Sequence, residues 1–470
     1  LTHVRPWYKF ISRCEKQENF VTRDRLDLTT CNIPRAIFFL AWPAVLQMGV
    51  DTAMRLIDAF WVGRLGAADM AAVTSSIFIL WTLMALAQML ATGVTAMVAR
   101  FTGARDRDFA EYVVRQAIRF GLIFSVAAGT AGFVLSPKFM QLLGVGADVA
   151  PLGTGYLRIS FLSSPVIFTF FIFGSALQGA GDTRTPLKIL LLTLATNAVL
   201  DPILIMGLGP VPRLGTNGAA IATALSHLLG AVVYFGLLNS DRLALRVRFL
   251  SREILDFSIL RRLLRIGIPS TIDFILFSVV YVVLTRVTAV FGTEAVAALG
   301  IGNRIESVSY MTSFGFSIAA STLVGQNLGA GRPDRSEKAG WMTSGIIAVF
   351  TAVVTAAFLL LPTHIVRIFI KDPLVVQIGA DYLRIVSISQ IFMGVEIVIA
   401  GGFVGAGDTV PPTLVSGLTS LARIPLAYYL GVRYGLGTDA IWWIISLTGV
   451  ARGVALPIWF KAGTWKKRRV

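Results

Sequence analysis

Five residues, Gly-Ala-Gly-Asp-Thr, occur at Gly179–Thr183 and again at Gly405–Thr409, an offset of 226 positions in a chain of 470 residues. The same offset aligns Pro43 with Pro269, Gly66-Ala67 with Gly292-Thr293, Ala71-Ala72 with Ala297-Ala298, and Gly103-Ala104 with Gly329-Ala330. With a four-residue gap, Leu214-Gly215-Thr216 matches Leu436-Gly437-Thr438. One unit is written twice in the same orientation, and any fold must accommodate two copies of it.

Polarity decides what the unit is. The chain is 55% hydrophobic and 14% charged, with a mean hydropathy of +0.73, far from the composition of soluble domains. Twelve apolar runs are long enough to cross a bilayer: 36–62, 67–97, 109–135, 155–179, 187–208, 217–238, 263–290, 293–323, 335–361, 378–404, 413–431 and 438–460. Gly and Pro within continuous apolar runs favour spanning helices over the alternating strands of a barrel. The expected fold is an all-α membrane protein of twelve transmembrane helices. Six spans per unit return the chain to its starting side. The bundles 36–238 and 258–460 should therefore be related by a pseudo-twofold axis along the membrane normal. A linker, 239–257, joins them, and basic tails, 1–35 and 461–470, flank them.

The formal net charge of +16 is distributed as a membrane protein requires. Basic residues crowd the N-terminal tail (Arg5, Lys9, Arg13, Lys16, Arg23, Arg25, Arg35), the turn after the second span (Arg100, Arg105, Arg107) and the linker (Arg242, Arg246, Arg248, Arg252). They recur after the eighth span (Arg332, Arg335, Lys338) and at the C-terminus (Lys466 to Arg469). This alternation predicts both termini in the cytoplasm, a multi-pass protein of the plasma (inner) membrane, and anionic lipid headgroups as the partner of the excess charge. Nucleic acid is not expected as a partner. Cys14 and Cys31 both fall in the tail and should be free thiols. The first span is expected to act as an uncleaved insertion signal.

Ionisable groups inside spans are costly and mark function. The first span holds Asp51, Arg55 and Asp58 at i, i+4 and i+7, on one helical face. Arg55 should pair with Asp51 and leave Asp58 as a switchable carboxylate. In the fifth span, Asn197 and Asp201 lie one turn apart, and Pro202 cannot donate to the carbonyl of Ala198. A carboxylate, an amide and a loose carbonyl in one turn form an oxygen site for a proton or Na⁺. The repeat positions of Asn197 and Asp201 are Arg423 and Ala427, so this site is not duplicated. The second unit has its own acids, Asp273, Glu306 and Glu396, with Asn303 and Tyr310 on the face of Glu306. These bind a cationic substrate or form structural ion pairs. His227 and His364 read as packed or interfacial residues. The 31 Phe residues suit a lipid-facing surface or an adaptable chamber.

An enzyme is the competing class. Gly-Ala-Gly-Asp fits the Gly-x-Gly-Asp of intramembrane aspartyl proteases, but no Tyr-Asp pair supplies the second acid. Asp182 and Asp408 are expected to serve as turn or capping residues. No cofactor is implied.

Several segments together resemble the multidrug and toxic compound extrusion (MATE) family. They are Leu-Ile-Asp58-Ala-Phe-Trp-Val-Gly-Arg-Leu-Gly, Gln178 to Pro186, Asn197 to Pro202, Gly325 to Arg332, and Arg423 to Tyr428. The resemblance spans residues 36 to 460. It implies a monomeric antiporter whose V-shaped lobes alternate access and export amphipathic, often cationic, organic compounds against H⁺ or Na⁺. It further implies a cation site of Asp58, Asn197, Asp201 and Thr223, with Pro43 as the bending point of the first span. Asp273 and Glu396 resemble acids of a second-lobe chamber. Arg55 with Asp51 departs from the family pattern. A flippase for lipid-linked oligosaccharides on the same fold is the competing reading, and it would call for a strongly basic cavity.

Overall fold

The computed structural model describes residues 26–209, 211–240, 243, 245–247 and 253–468. Cys14, the tail cations from Arg5 to Arg25, Arg242, Arg248, Arg252 and Arg469 lie outside the described residues. The first bundle comprises α1 (Ile33–Gly63), α2 (Ala67–Gly103), α3 (Arg107–Leu142), α4 (Val149–Leu162), α5 (Ser164–Gly179), α6 (Arg184–Met206) and α7 (Thr216–Leu238). The second comprises α8 (Phe257–Thr288), α9 (Thr293–Gly329), α10 (Pro333–Leu360), the short α11 (Pro362–Arg367), α12 (Pro373–Ala406), α13 (Val410–Leu426) and α14 (Gly437–Ala462).

Nine helices among the described residues are long and apolar enough to cross a membrane, and the pair α4–α5 makes a tenth pass. Polar α9, and α13 extended by a π-helical segment Ala427–Arg433, complete the twelve. Two of the expected spans are corrected. The run 155–179 is not one straight helix: α4 starts at Val149 and meets α5 at a 51° bend. Pro165 lacks an N–H and its ring crowds the carbonyl of Phe161, which breaks the ladder there. The run 413–431 begins earlier, at Val410, and changes helical type at Ala427, two residues after Pro425. Most other helices outrun their expected ends; α2 continues to Gly103 and, at ~1.5 Å per residue, is longer than the ~30 Å hydrocarbon core. Carboxylates at the N-cap position start three of the helices. Asp106 accepts from the amide of Phe109, Asp256 from Ser258, and Asp372 from Leu374 and Val375.

The repeat is written into the backbone as well. Gly181 and Gly407, equivalent across the 226-residue offset, both adopt positive φ (90° and 75°) in the Gly-Ala-Gly-Asp-Thr turn. Arg105 (φ 59°) stands where the second unit has Gly331 (φ 70°). It is the lone non-glycine with positive φ among the described residues.

The bundles meet along α1–α9 and α2–α8–α9. Glycines permit this. A Cβ on Gly103 would lie 1.9 Å from the carbonyl oxygen of Gln326, and one on Gly329 would lie 1.8 Å from that of Arg100. One on Gly267 would lie equally close to the Met89 carbonyl oxygen, at 1.9 Å. Small residues let helix backbones touch where lipid offers no hydrophobic drive to associate. All these approaches lie in the half of the molecule that carries Arg100, Arg105 and Arg332. Towards the other end α1 leaves Leu56 and Phe60 exposed. The bundles are thus closed against each other at the basic end.

Candidate functional site

In the first bundle α6 turns Asn197 and Asp201 inward, both fully buried. Their one-turn spacing brings Asn197 Nδ2 within 3.2 Å of Asp201 Oδ1, to which it donates. Asp58 of α1 lies within electrostatic range of the same pair. Four buried oxygens in this region have no hydrogen-bond partner: Asp58 Oδ1, Asn197 Oδ1, Asp201 Oδ2 and Thr223 Oγ1. Unpaired buried oxygens are rare because each carries a desolvation cost of about 1–3 kcal/mol. A hard monovalent cation or a proton offsets that cost.

The surroundings are apolar with polar tips. Thr223 gives its carbonyl to His227 Nδ1 at 2.8 Å, and the imidazole packs edge-on against Phe170. His227 is therefore a packed residue, as its sequence context implied. Tyr156 of α4 lies within electrostatic range of Asp58 and Asp201. Among the described residues, no group of three or more His, Cys, Asp or Glu is placed to hold a metal.

Arg55 donates Nε–H to Asp51 at 3.0 Å, one turn away on α1. Both side chains are about half exposed (54% and 43%), so the pair contributes at most about 1 kcal/mol. It does not close over Asp58. Pro43 is buried within an unbroken α1, and Pro202 within α6.

The second bundle carries a different polar cluster. Glu306 accepts hydrogen bonds from Tyr382 at 2.6 Å and from Gln390. Asp273 accepts from Ser416. Arg452 donates to Thr419 and Ser420 and lies 3.7 Å from Glu396. Tyr310 shares a helix face with Glu306 in sequence but makes no bond to it; it stacks with Phe277 and Phe314. Arg304, two residues before Glu306, is exposed.

Sequence spacing missed several of these partners. Arg452 had a signal, being an arginine deep in an apolar run. Tyr382 had another: it is the repeat position of Tyr156, so each bundle directs a tyrosine at its acids. Gln47, the repeat position of Asp273, had none. It is buried, donates to the Thr183 carbonyl and accepts from Gln178.

Asp182 and Asp408, the aspartates of the two repeated turns, differ. Asp182 accepts from the amides of Arg184 and Thr185 and from the Thr185 hydroxyl, opening α6. Asp408 is buried and pairs with Arg468 at 3.2 Å. Both are structural, and they are not paired acids.

The profile of the MatE family matches residues 43–203 and again 269–429, the same 226-residue register. The chain is 27% identical over 444 residues to the probable multidrug resistance protein NorM of Thermotoga maritima, covering 93% of this chain and 94% of that one. It is 26% identical over 437 residues to a FAD transporter of Shewanella oneidensis, covering 92% and 95%. Its fold matches the outward-facing structure of a multidrug resistance MATE transporter of the MOP superfamily. That match has a TM-score of 0.86 at 23% identity and covers 96% of this chain and all of the other. The duplicated profile, covering both bundles, identifies this chain as a transporter of the MatE family and not an enzyme.

Proposed function

We propose that the protein is a secondary antiporter that exports amphipathic organic compounds, cationic ones among them, in exchange for H⁺ or Na⁺ by alternating access. The observation that carries this reading is the set of four unpaired buried oxygens on Asp58, Asn197, Asp201 and Thr223. A proton or Na⁺ entering there removes buried negative charge and satisfies them. Loading bends α1 near Pro43 and favours the opposite orientation of the lobes 36–238 and 258–460, which the linker 239–257 joins. Substrate leaves as the cation enters. A ligand shifts such an equilibrium only through its different affinity for the two states.

In this reading the basic end faces the cytoplasm with both termini, in a plasma membrane whose anionic headgroups meet its arginines. The protein works as a monomer and needs no cofactor.

The test is efflux from everted vesicles under an imposed pH or Na⁺ gradient. Asp58→Asn and Asp201→Asn should each cut gradient-driven flux at least about tenfold, the effect of losing one interaction of ~1.4 kcal/mol made in the transport cycle. Gradient-independent flux, or full activity in both variants, overturns the coupling site.

A further inference from the structure

The 226-residue register places Arg423 where the first bundle has Asn197, Ala427 where it has Asp201, and buried Leu284 where it has Asp58. The second bundle thus loses every oxygen of the cation site on α1 and α6 and gains a guanidinium in its place. The acids nearby are already engaged: Glu306 by Tyr382 and Gln390, Asp273 by Ser416, Glu396 by Arg452. Arg452 itself is committed to Thr419, Ser420 and Glu396.

Arg423 is different. Its Nε donates to Thr448 at 2.6 Å, and one Nη2 hydrogen reaches the Ile445 carbonyl at 3.4 Å. A guanidinium has five donors, so most remain open. No carboxylate of the described residues lies within 4 Å of it, and none of its nitrogens is sealed away from solvent without a partner. A row of aromatic rings stands on α8 and α9, the helices that carry Asp273 and Glu306. Tyr281, Phe277, Tyr310 and Phe314 follow one another at centroid separations of 6.0, 6.5 and 6.0 Å, with interplanar angles below 30°. Tyr310 lies in the field of Asp273, Glu396 and Arg452, and Tyr281 in that of Glu306. Phe277, Tyr310 and Phe314 remain about 40% exposed.

We propose that this chamber recognises planar aromatic compounds carrying an oxyanion, a carboxylate or a phosphate. The ring lies on the Phe277–Tyr310–Phe314 row and the oxyanion takes the open fork of Arg423. Thr448 holds Arg423 by its Nε and leaves the terminal nitrogens for a bidentate contact. This assignment rests on the transport reading above and names a substrate class for it. It concerns solute binding in the second bundle, whereas ion coupling resides in the first.

Riboflavin and riboflavin 5′-phosphate share one ring system and differ in the oxyanion, so they isolate the contact. Binding to the purified full-length protein is followed by flavin fluorescence, without any ion gradient. Wild type should bind the phosphate at least about tenfold more tightly than riboflavin, as a charge-assisted bidentate contact implies. Arg423→Gln should abolish that preference while leaving riboflavin binding intact, which also reports a folded chamber. Arg423→Lys should retain part of it, and Phe277→Leu should weaken both ligands alike. Thr448→Val is a milder second variant that should reduce the preference by loosening the guanidinium. Equal affinities in wild type, binding of neither ligand, or a preference that survives Arg423→Gln overturns the proposal. The preference is read at equilibrium without a gradient, and coupling is read from gradient-driven flux, so the two are measured separately. Lost coupling with a retained preference therefore overturns the antiport reading alone, and gradient-driven flux without the preference overturns this one alone.

Discussion

Gln326 of α9 donates its Nε2–H to the carbonyl of Gly179, at 2.9 Å and across the two bundles. One turn earlier Thr322 donates to the carbonyl of Gln178, also at 2.9 Å. Both acceptors belong to the end of α5 and the repeated turn of the first bundle, and Gln47 binds the same turn from α1 at Thr183. Carbonyls at the end of a helix run short of intrahelical donors; Gln326 supplies one to Gly179, whereas the Gln178 and Thr183 carbonyls also accept from the amides of Gly181 and Leu187. The bonds from Thr322 and Gln326 also tie the bundles together where they are closed.

Removing these donors should therefore weaken the closed basic end. Each bond contributes about 1 kcal/mol net. The double variant Thr322→Ala/Gln326→Ala should raise the fraction of molecules open at the basic end by at least about tenfold. Distances between spin labels placed on either side of that end measure it directly. An unchanged distance distribution would show that the bonds are incidental to closure.

Backbone approach makes a second, steric demand. A methyl group on Gly267 would overlap the Met89 carbonyl at 1.9 Å, and one on Gly329 the Arg100 carbonyl at 1.8 Å. Gly267→Ala and Gly329→Ala should each cost about 1–3 kcal/mol of stability in this conformation, as overpacking does. Gly49→Ala is the control: nothing lies within 4 Å of the added methyl. It should be neutral or stabilise by up to about 1 kcal/mol through helix propensity. Thermal unfolding in detergent separates the three, and equal melting points would contradict the packing argument.

The Asp51–Arg55 pair predicts an effect on activity without one on stability. Because both side chains are about half exposed, Asp51→Asn should change the unfolding free energy by less than about 1 kcal/mol. It releases Arg55, three residues before Asp58, to compete with the coupling ion. Export should fall several-fold, and the double variant Asp51→Asn/Arg55→Gln should recover it. Unaltered transport in the single variant would remove any modulating role for the pair.

A pH dependence follows from Asp256. Hydrogen bonds from the side chain and backbone of Ser258 hold its carboxylate below the usual range, and Tyr112 of α3 donates to it at 3.1 Å. A lowered folded-state value means that its contribution is complete above about pH 4 and is lost as pH falls through the folded value. Asp256→Ala should lower stability by about 1 kcal/mol at pH 7, the usual cost of a lost helix cap, and the gap should close in acid. A gap constant from pH 7 to pH 3 would mean that the carboxylate's charge contributes nothing.

Much of this molecule was legible before folding. The offset of 226 residues gave the two bundles. Apolar runs gave the passes, because a bilayer fixes how long such a run must be. The comparison of Asn197 and Asp201 with Arg423 and Ala427 located the asymmetry between the halves, since intramembrane charge is too costly to be incidental. Helix spacing gave the pairs Asp51–Arg55 and Asn197–Asp201, which need only one turn of one helix.

Contacts between helices were another matter. Nothing in the linear spacing joins Gln326 to Gly179, Arg452 to Glu396, or Tyr382 to Glu306, because each depends on how two helices are rotated and how closely glycines let them approach. The bend at Ser163 and the π turn at Ala427 likewise arise where proline meets local packing. The sequence by itself determined how many times the chain crosses, where its charges lie and that its halves differ. Only the tertiary structure decided which charges are spent on one another, which end is closed, and that Arg423 is left with open donors. Periodicity is a property of one helix; satisfaction of a buried polar group is a property of its neighbours.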